Sequence, residues 1–304
     1  MKSILVIGEI LVEIMADQTD QSFLEAGSYT GPFASGAPAI FIDQAAKFQV
    51  PAAILSAVGD DDFGRLCLTR LAADGVNTNY IKTVQNRATG VAFVRYNSDG
   101  SRNFIYHIGN AACGQVTTED LDGVKWEDLG VFHIMGSSIF TPEMFTLHRE
   151  ALNRIPRDCI ISLDPNVRPE ILKTSPDLNK LIKELLNKAE ILFATEEEMT
   201  FLTGTDDVEA ALTICFSKGL KAVIVKRGGK GASLFTEERR IDAPGLDVVE
   251  IDPTGAGDTF AGAFMAGYLK GWPLEECLTR ANTAGASAVG KRGPMEGTIR
   301  LEEL

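Results

Sequence analysis

The run Asp252-Pro253-Thr254-Gly255-Ala256-Gly257-Asp258 concentrates residues that can do chemistry. Side chains at 255 to 257 are absent or a single methyl, so a ligand can come close to the backbone. From Asp258 the chain reads as a helix of Phe, Ala, Gly, Met and Leu, apolar nearly all round and therefore buried. A small-residue turn feeding such a helix offers unpaired N–H groups and the positive end of the helix dipole, which together bind anions. Asp258 has two readings at this place. It is a favourable acidic residue in a first turn. It is also a carboxylate beside an anion hole, able to take the proton from a hydroxyl that attacks a phosphoryl group, with the dipole keeping it ionised.

The elements that must position this turn follow a regular alternation. Ile4–Gly8, Ala52–Val58, Gly130–Gly136, Cys159–Leu163, Ile191–Ala194 and Lys221–Lys226 read as short apolar strands, and Val248–Ile251 as the end of another. Helical stretches lie between them, from Gly36 through Phe48, up to Asp74-Gly75-Val76, over Pro142–Arg154 and over Pro273–Val289. Gly90–Asn97 and Arg102–Ile108 flank Ser98-Asp99-Gly100-Ser101, a hairpin signal. Strands alternating with helices predict an α/β fold with a mostly parallel, doubly wound sheet flanked by helices. With no repeat, low-complexity tract or long linker, the 304 residues read as one domain.

Composition narrows the function. A net charge of -13 argues against nucleic acid or an anionic membrane as partner, while a helix terminus can still hold phosphate in an acidic protein. Five scattered cysteines without a C-x-x-C pair, the lack of a basic-then-apolar leader and the lack of a spanning apolar run point to reduced thiols in a cytoplasm. Gly8-Glu9-Ile10-Leu11-Val12-Glu13 lacks dinucleotide-fingerprint spacing, and Gly229-Lys230 lacks that of a Walker A loop. Asp60-Asp61-Asp62 reads as a turn and helix cap rather than a metal site.

The segment D-P-T-G-A-G-D-T-F-A-G-A-F resembles the C-terminal signature of the ribokinase-like (PfkB) carbohydrate kinases, and the likeness extends over nearly the whole chain. It implies that Asp258 is the catalytic base, that Gly255, Ala256 and Gly257 form the anion hole, and that the cofactors are ATP and Mg2+ with K+ beside Asp252 and Thr254. It further implies a small β-sheet lid, from segments at about 10–33 and 88–110, that covers the sugar and pairs two subunits as a homodimer. Substrate contacts would come from Glu13, Gly36, Tyr106, His107, Asn166 and Arg168, with Arg102 a further lid contact. Nucleotide contacts would come from Thr195, Lys226, Gly228, Gly231, Gly257 and Asn282, with Glu198 supporting a hydrated magnesium. Ala39 and Thr195 stand where the family carries Asn, and His107 and Pro294 depart from the pattern of 2-keto-3-deoxygluconate kinases. These departures favour a neutral ketose such as fructose or tagatose, with the sugar acid second and a non-catalytic sugar or nucleotide sensor third.

Overall fold

Alternation along the first strand, β1 (Ser3–Ile7), sets up two cores: Ile4 and Val6 point into one, Leu5 and Ile7 into the other. In the computed structural model, which describes residues 1–166 and 176–304, the strands are β2 (Leu11–Ala16), β3 (Tyr29–Ser35), β4 (Ala52–Gly59), β5 (Ile81–Val84), β6 (Gly90–Tyr96), β7 (Arg102–His107), β8 (Leu129–Met135), β9 (Ile160–Asp164), β10 (Ile191–Thr195), β11 (Ala222–Lys226), β12 (Gly231–Phe235) and β13 (Arg240–Pro244). The larger sheet runs β13-β12-β11-β10-β9-β8-β1-β4-β5, parallel from β5 to β11 and antiparallel at β12 and β13. Buried on both faces, β4 and β8 have no exposed residue, as their unbroken apolar runs require.

Helices α1 (Ala37–Lys47), α2 (Asp62–Ala73), α3 (Pro142–Arg154), α4 (Pro176–Leu186), α5 (Glu196–Thr203), α6 (Val208–Ser217), α7 (Ala256–Leu269) and α8 (Leu274–Val289) cover the sheet. α1, α2, α7 and α8 pack on one face, and α3 to α6 on the other. The doubly wound expectation is met. α7 is buried nearly all round and lies against α1, where a Cβ at Gly262 would stand 2.2 Å from the Phe41 carbonyl. Only glycine permits that approach.

A second sheet, β3-β2-β6-β7, stands apart from the first. β2 and β6 pair in parallel, while β3 and β7 add antiparallel edges. Register puts Glu13, Ala92 and Tyr106 in one row, and Tyr96 opposite Arg102, all on one face; Val91, Phe93, Ile105 and His107 share the other.

One reading needs correcting. Val248–Ile251 forms no strand: Val249 is 81 % exposed and Ile251 57 %. The chain leaves the sheet at Pro244, and the amides of Ile251 and Asp252 turn instead to the Val289 carbonyl at the end of α8. A β-favouring composition pairs only where a strand edge is offered. The glycine-rich stretch after Arg227 is a short 3-10 turn (Gly228–Lys230) that leads into β12, an element not anticipated.

Candidate active site

The parallel strands converge on one edge, and their carboxyl ends carry the polar residues, as expected for open α/β sheets. Asp164 ends β9, Thr195 ends β10, Lys226 ends β11, and α7 begins at the 255–257 turn. Gly255 caps α7 in the left-handed region (φ 79), and a Cβ there would meet the Pro294 carbonyl at 2.6 Å. No other residue type fits without strain. Above Gly257 the nearest atom to an added Cβ is Lys226 Nζ, at 3.5 Å. The small-residue turn and a half-buried ammonium therefore face the same space.

Asp258 lies in the first turn of α7, 9 % exposed. Asn166 Nδ2 donates to its Oδ1 at 3.0 Å. Asn166 itself has φ 42, a left-handed conformation held by its amide bonding to Asp164 Oδ1 at 3.1 Å. Asn tolerates that region better than most residues. Asp164, fully buried, pairs with Lys226 Nζ at 2.5 Å. Burial raises the pKa of Asp164 to about 6 against the pull of Lys226. Burial would lower that of Lys226, but Asp164, Glu198 and Asp258 outweigh it and raise it. For Asp258, burial first and the charge of Asp164 second push the pKa up to about 8. Loss of water on burial thus opposes the helix dipole, which the sequence reading expects to keep Asp258 ionised.

Around the start of α5, Thr195 and Glu198 form a reciprocal capping box: the Glu198 amide donates to Thr195 Oγ1, and Glu198 Oε2 accepts from the Thr195 amide at 2.8 Å. Glu198 is nonetheless buried and within electrostatic reach of Lys226 and Asp164. Among the described residues no group of three or more His, Cys, Asp or Glu side chains is arranged to hold a metal. Gly228 and Gly231 bracket the 3-10 turn after β11, and Asn282 on α8 donates to the Pro244 carbonyl at 2.8 Å. An added Cβ at Gly245 would stand 1.8 Å from the Gly229 carbonyl, so the Gly228–Gly231 turn, Gly245 and Asn282 are contiguous.

The smaller sheet reaches this edge through its far end. Tyr96 Oη donates to Asp252 Oδ1 at 2.7 Å, and Arg102 Nη1 to Thr254 Oγ1 at 2.9 Å. Asp252, 1 % exposed, also accepts from the amides of Thr254 and Gly293, each at 3.0 Å. Glu13, 3 % exposed, accepts from Ser35 Oγ at 3.1 Å through Oε2, and its Oε1 has no partner among the described residues. Burial, then the charge of Asp252, raises its pKa to about 8. Tyr106 shares the face of Glu13 and Arg102, stacked on Phe104. His107 does not: it lies on the opposite face, edge-on to Phe93. Gly36 opens α1, and Ala39 is fully buried in the core. Arg168 lies outside the described residues. Sequence reasoning passed over Glu9, Tyr96 and the Asp164–Lys226 pair. The resemblance gave Lys226 only as a nucleotide contact, and the general rule that polar residues ending parallel strands face a ligand is the signal for Asp164.

Comparison with known proteins agrees with this geometry. The family model described as pfkB family carbohydrate kinase matches residues 1–300. The chain is 30 % identical over 298 residues to a probable fructokinase-5 of Arabidopsis thaliana, covering 94 % of this chain and 91 % of that one. It superposes on the crystal structure of a candidate ribokinase II from E.coli with a TM-score of 0.95 and 42 % identity, covering 100 % of this chain and 97 % of the other. The same comparison with a candidate ribokinase II from E.coli in complex with ATP and Mg+2 gives a TM-score of 0.94 at 42 % identity, with the same coverage. The chain therefore belongs to the pfkB family of carbohydrate kinases.

Proposed function

We propose that the protein transfers the γ-phosphoryl group of ATP to a hydroxyl of a neutral ketose of the fructose or tagatose type. The observation that carries this reading is Asp258: a buried carboxyl at the start of α7, oriented by Asn166, next to a small-residue turn overlooked by Lys226. Among the described residues only Asn166 hydrogen-bonds to the Asp258 carboxyl. The sugar hydroxyl gives its proton to Asp258 as its oxygen bonds to the γ-phosphorus, and the bond to the β,γ-bridging oxygen breaks, releasing ADP. The amides of 255–257 and the Lys226 ammonium offset the charge that develops on the phosphoryl oxygens. A base with a pKa near the working pH suits this task.

Glu198 would support, through water, a magnesium ion on the ATP phosphates, which would supply further charge neutralisation when bound. Adenine would lie along the Gly228–Gly231 turn and Asn282, with Thr195 nearer the phosphates. A potassium ion would use Asp252 and Thr254. Three donors already point at Asp252, so such an ion shares that carboxylate with Tyr96. Gly36, Glu13, Tyr106 and Asn166 would hold the sugar under the smaller sheet, which acts as a lid. Its outer face, with Tyr29, Phe93 and Ile105, offers a surface for pairing with a second copy. Five buried, unpaired cysteines suit a reducing cytoplasm.

A neutral sugar is favoured over 2-keto-3-deoxygluconate because, among the described residues, the cations near Asp258 are committed, Lys226 to Asp164 and Arg102 to Thr254. An intact base and anion hole favour an enzyme over a sensor. An ADP-release assay with Mg-ATP and potassium, against fructose, tagatose and 2-keto-3-deoxygluconate, tests the reading. Turnover with a ketose supports it. Turnover with the sugar acid alone refutes the ketose assignment, and sugar binding without turnover refutes the kinase.

A further inference from the structure

Glu9 follows β1 directly at the carboxyl edge of the larger sheet. Its side chain is 6 % exposed, and Oε2 has no hydrogen-bond partner among the described residues. The backbone amide of Ala37 and the Ser138 side chain stand beside the carboxyl, and Asp258 is within electrostatic reach of it. Gly36 rests on the Glu9 backbone, where an added Cβ would come 2.5 Å from the carbonyl oxygen. Glu9 thus lies beside the start of α1 with Asp258 within electrostatic reach, at the sheet edge where the sugar is proposed to bind. A carboxyl oxygen buried without a donor is costly, and a native fold keeps one where something outside the chain completes it. Glu13 Oε1, on the lid side, is in the same state. The Ser138 hydroxyl beside Glu9 is also without a partner among the described residues, so the open groups here, two carboxyl oxygens and a hydroxyl, suit a polyhydroxy ligand that both donates and accepts.

Resting on the ketose-kinase reading, we infer that Glu9 is a specificity-determining residue whose Oε2 accepts a hydrogen bond from a sugar hydroxyl other than the one phosphorylated. With Glu13 it makes the pocket a reader of neutral polyhydroxy sugars. Glu9 takes no proton from the reacting hydroxyl; that stays with Asp258.

The test compares wild type, Glu9→Gln and Glu9→Ala with Mg-ATP and fructose, and with a set of singly deoxygenated fructoses. The readouts are kcat and KM for sugar, KM for ATP, and melting temperature. Glu9→Gln keeps the shape and is expected to raise the sugar KM on the order of 10-fold, with the ATP KM unmoved and the melting temperature not lowered. One deoxy analogue should lose on the order of 10- to 100-fold in kcat/KM with wild type, and Glu9→Ala should cost nothing more on that analogue alone. An equal loss on every analogue, with a lowered melting temperature, would assign Glu9 to the start of α1 and overturn the inference. Wild-type fructose turnover with no dependence on Glu9 would overturn this inference alone. Turnover restricted to 2-keto-3-deoxygluconate would overturn the ketose reading and this inference with it.

Discussion

Asp258→Asn separates catalysis from stability in one residue. The replacing amide keeps the oxygen that accepts from Asn166 and matches the neutral acid in shape. Losing a general base lowers kcat by about 10²- to 10⁴-fold. Stability moves the other way. In the unfolded chain the carboxyl ionises at its ordinary value of 3.8, whereas in the fold burial and Asp164 hold it neutral up to about 8. Below 3.8 both states are protonated and the group adds nothing. Above 3.8 the unfolded state gains from ionising while the folded state does not, so stability is lost as pH climbs, and the loss levels off above about 8. At pH 7 that span is roughly 3 pH units at about 1.4 kcal/mol each, or ~4 kcal/mol. The asparagine variant escapes this cost. Its melting temperature should exceed wild type by roughly 4–8 °C at pH 7. The advantage should fade towards pH 4 and be largest at pH 8. Scanning fluorimetry across that range decides it. A variant less stable than wild type, or a gain that does not change with pH, would refute the electrostatic account of this site.

Other perturbations probe the surroundings. Gly255→Ala forces a methyl towards the Pro294 carbonyl in a left-handed turn; it should cost about 2 kcal/mol or more and lower kcat, read by chemical denaturation and ADP release. Lys226→Met leaves Asp164 buried without its partner and should destabilise by about 3–5 kcal/mol. Adding Asp164→Asn should restore stability but not activity. Tyr96→Phe removes one of three donors on Asp252 and should lower the potassium concentration giving half-maximal activity; an unchanged value would place the cation elsewhere.

Much of this was legible in the chain because the local signals were physical requirements. Buried parallel strands need apolar runs, α7 needs small residues against α1, and the turn before it needs a glycine at 255. The hairpin around Asp99-Gly100 announced β6 and β7. What was not legible was of another kind. Val248–Ile251 has the composition of a strand, but no edge meets it. His107 and Tyr106 are adjacent in sequence, and only register decides which faces the site. Thr195 and Glu198 satisfy a capping box outright, so their spacing alone could not separate a helix start from a ligand site. Burial sets the charge state of Asp258, and burial is a property of the whole fold rather than of seven residues. Glu9 carried no local mark: its interest lies in the donors that the folded chain does not bring to it.

Phosphoryl transfer itself can be followed by 31P NMR with Mg-ATP, potassium and fructose, for wild type and Asp258→Asn side by side. A sugar-phosphate ester resonance should grow with wild type as the γ-phosphate signal falls, and should be all but absent with the variant. Inorganic phosphate in place of an ester, or an ester formed at the wild-type rate without the Asp258 carboxyl, would contradict the assignment of Asp258 as the base of a sugar kinase.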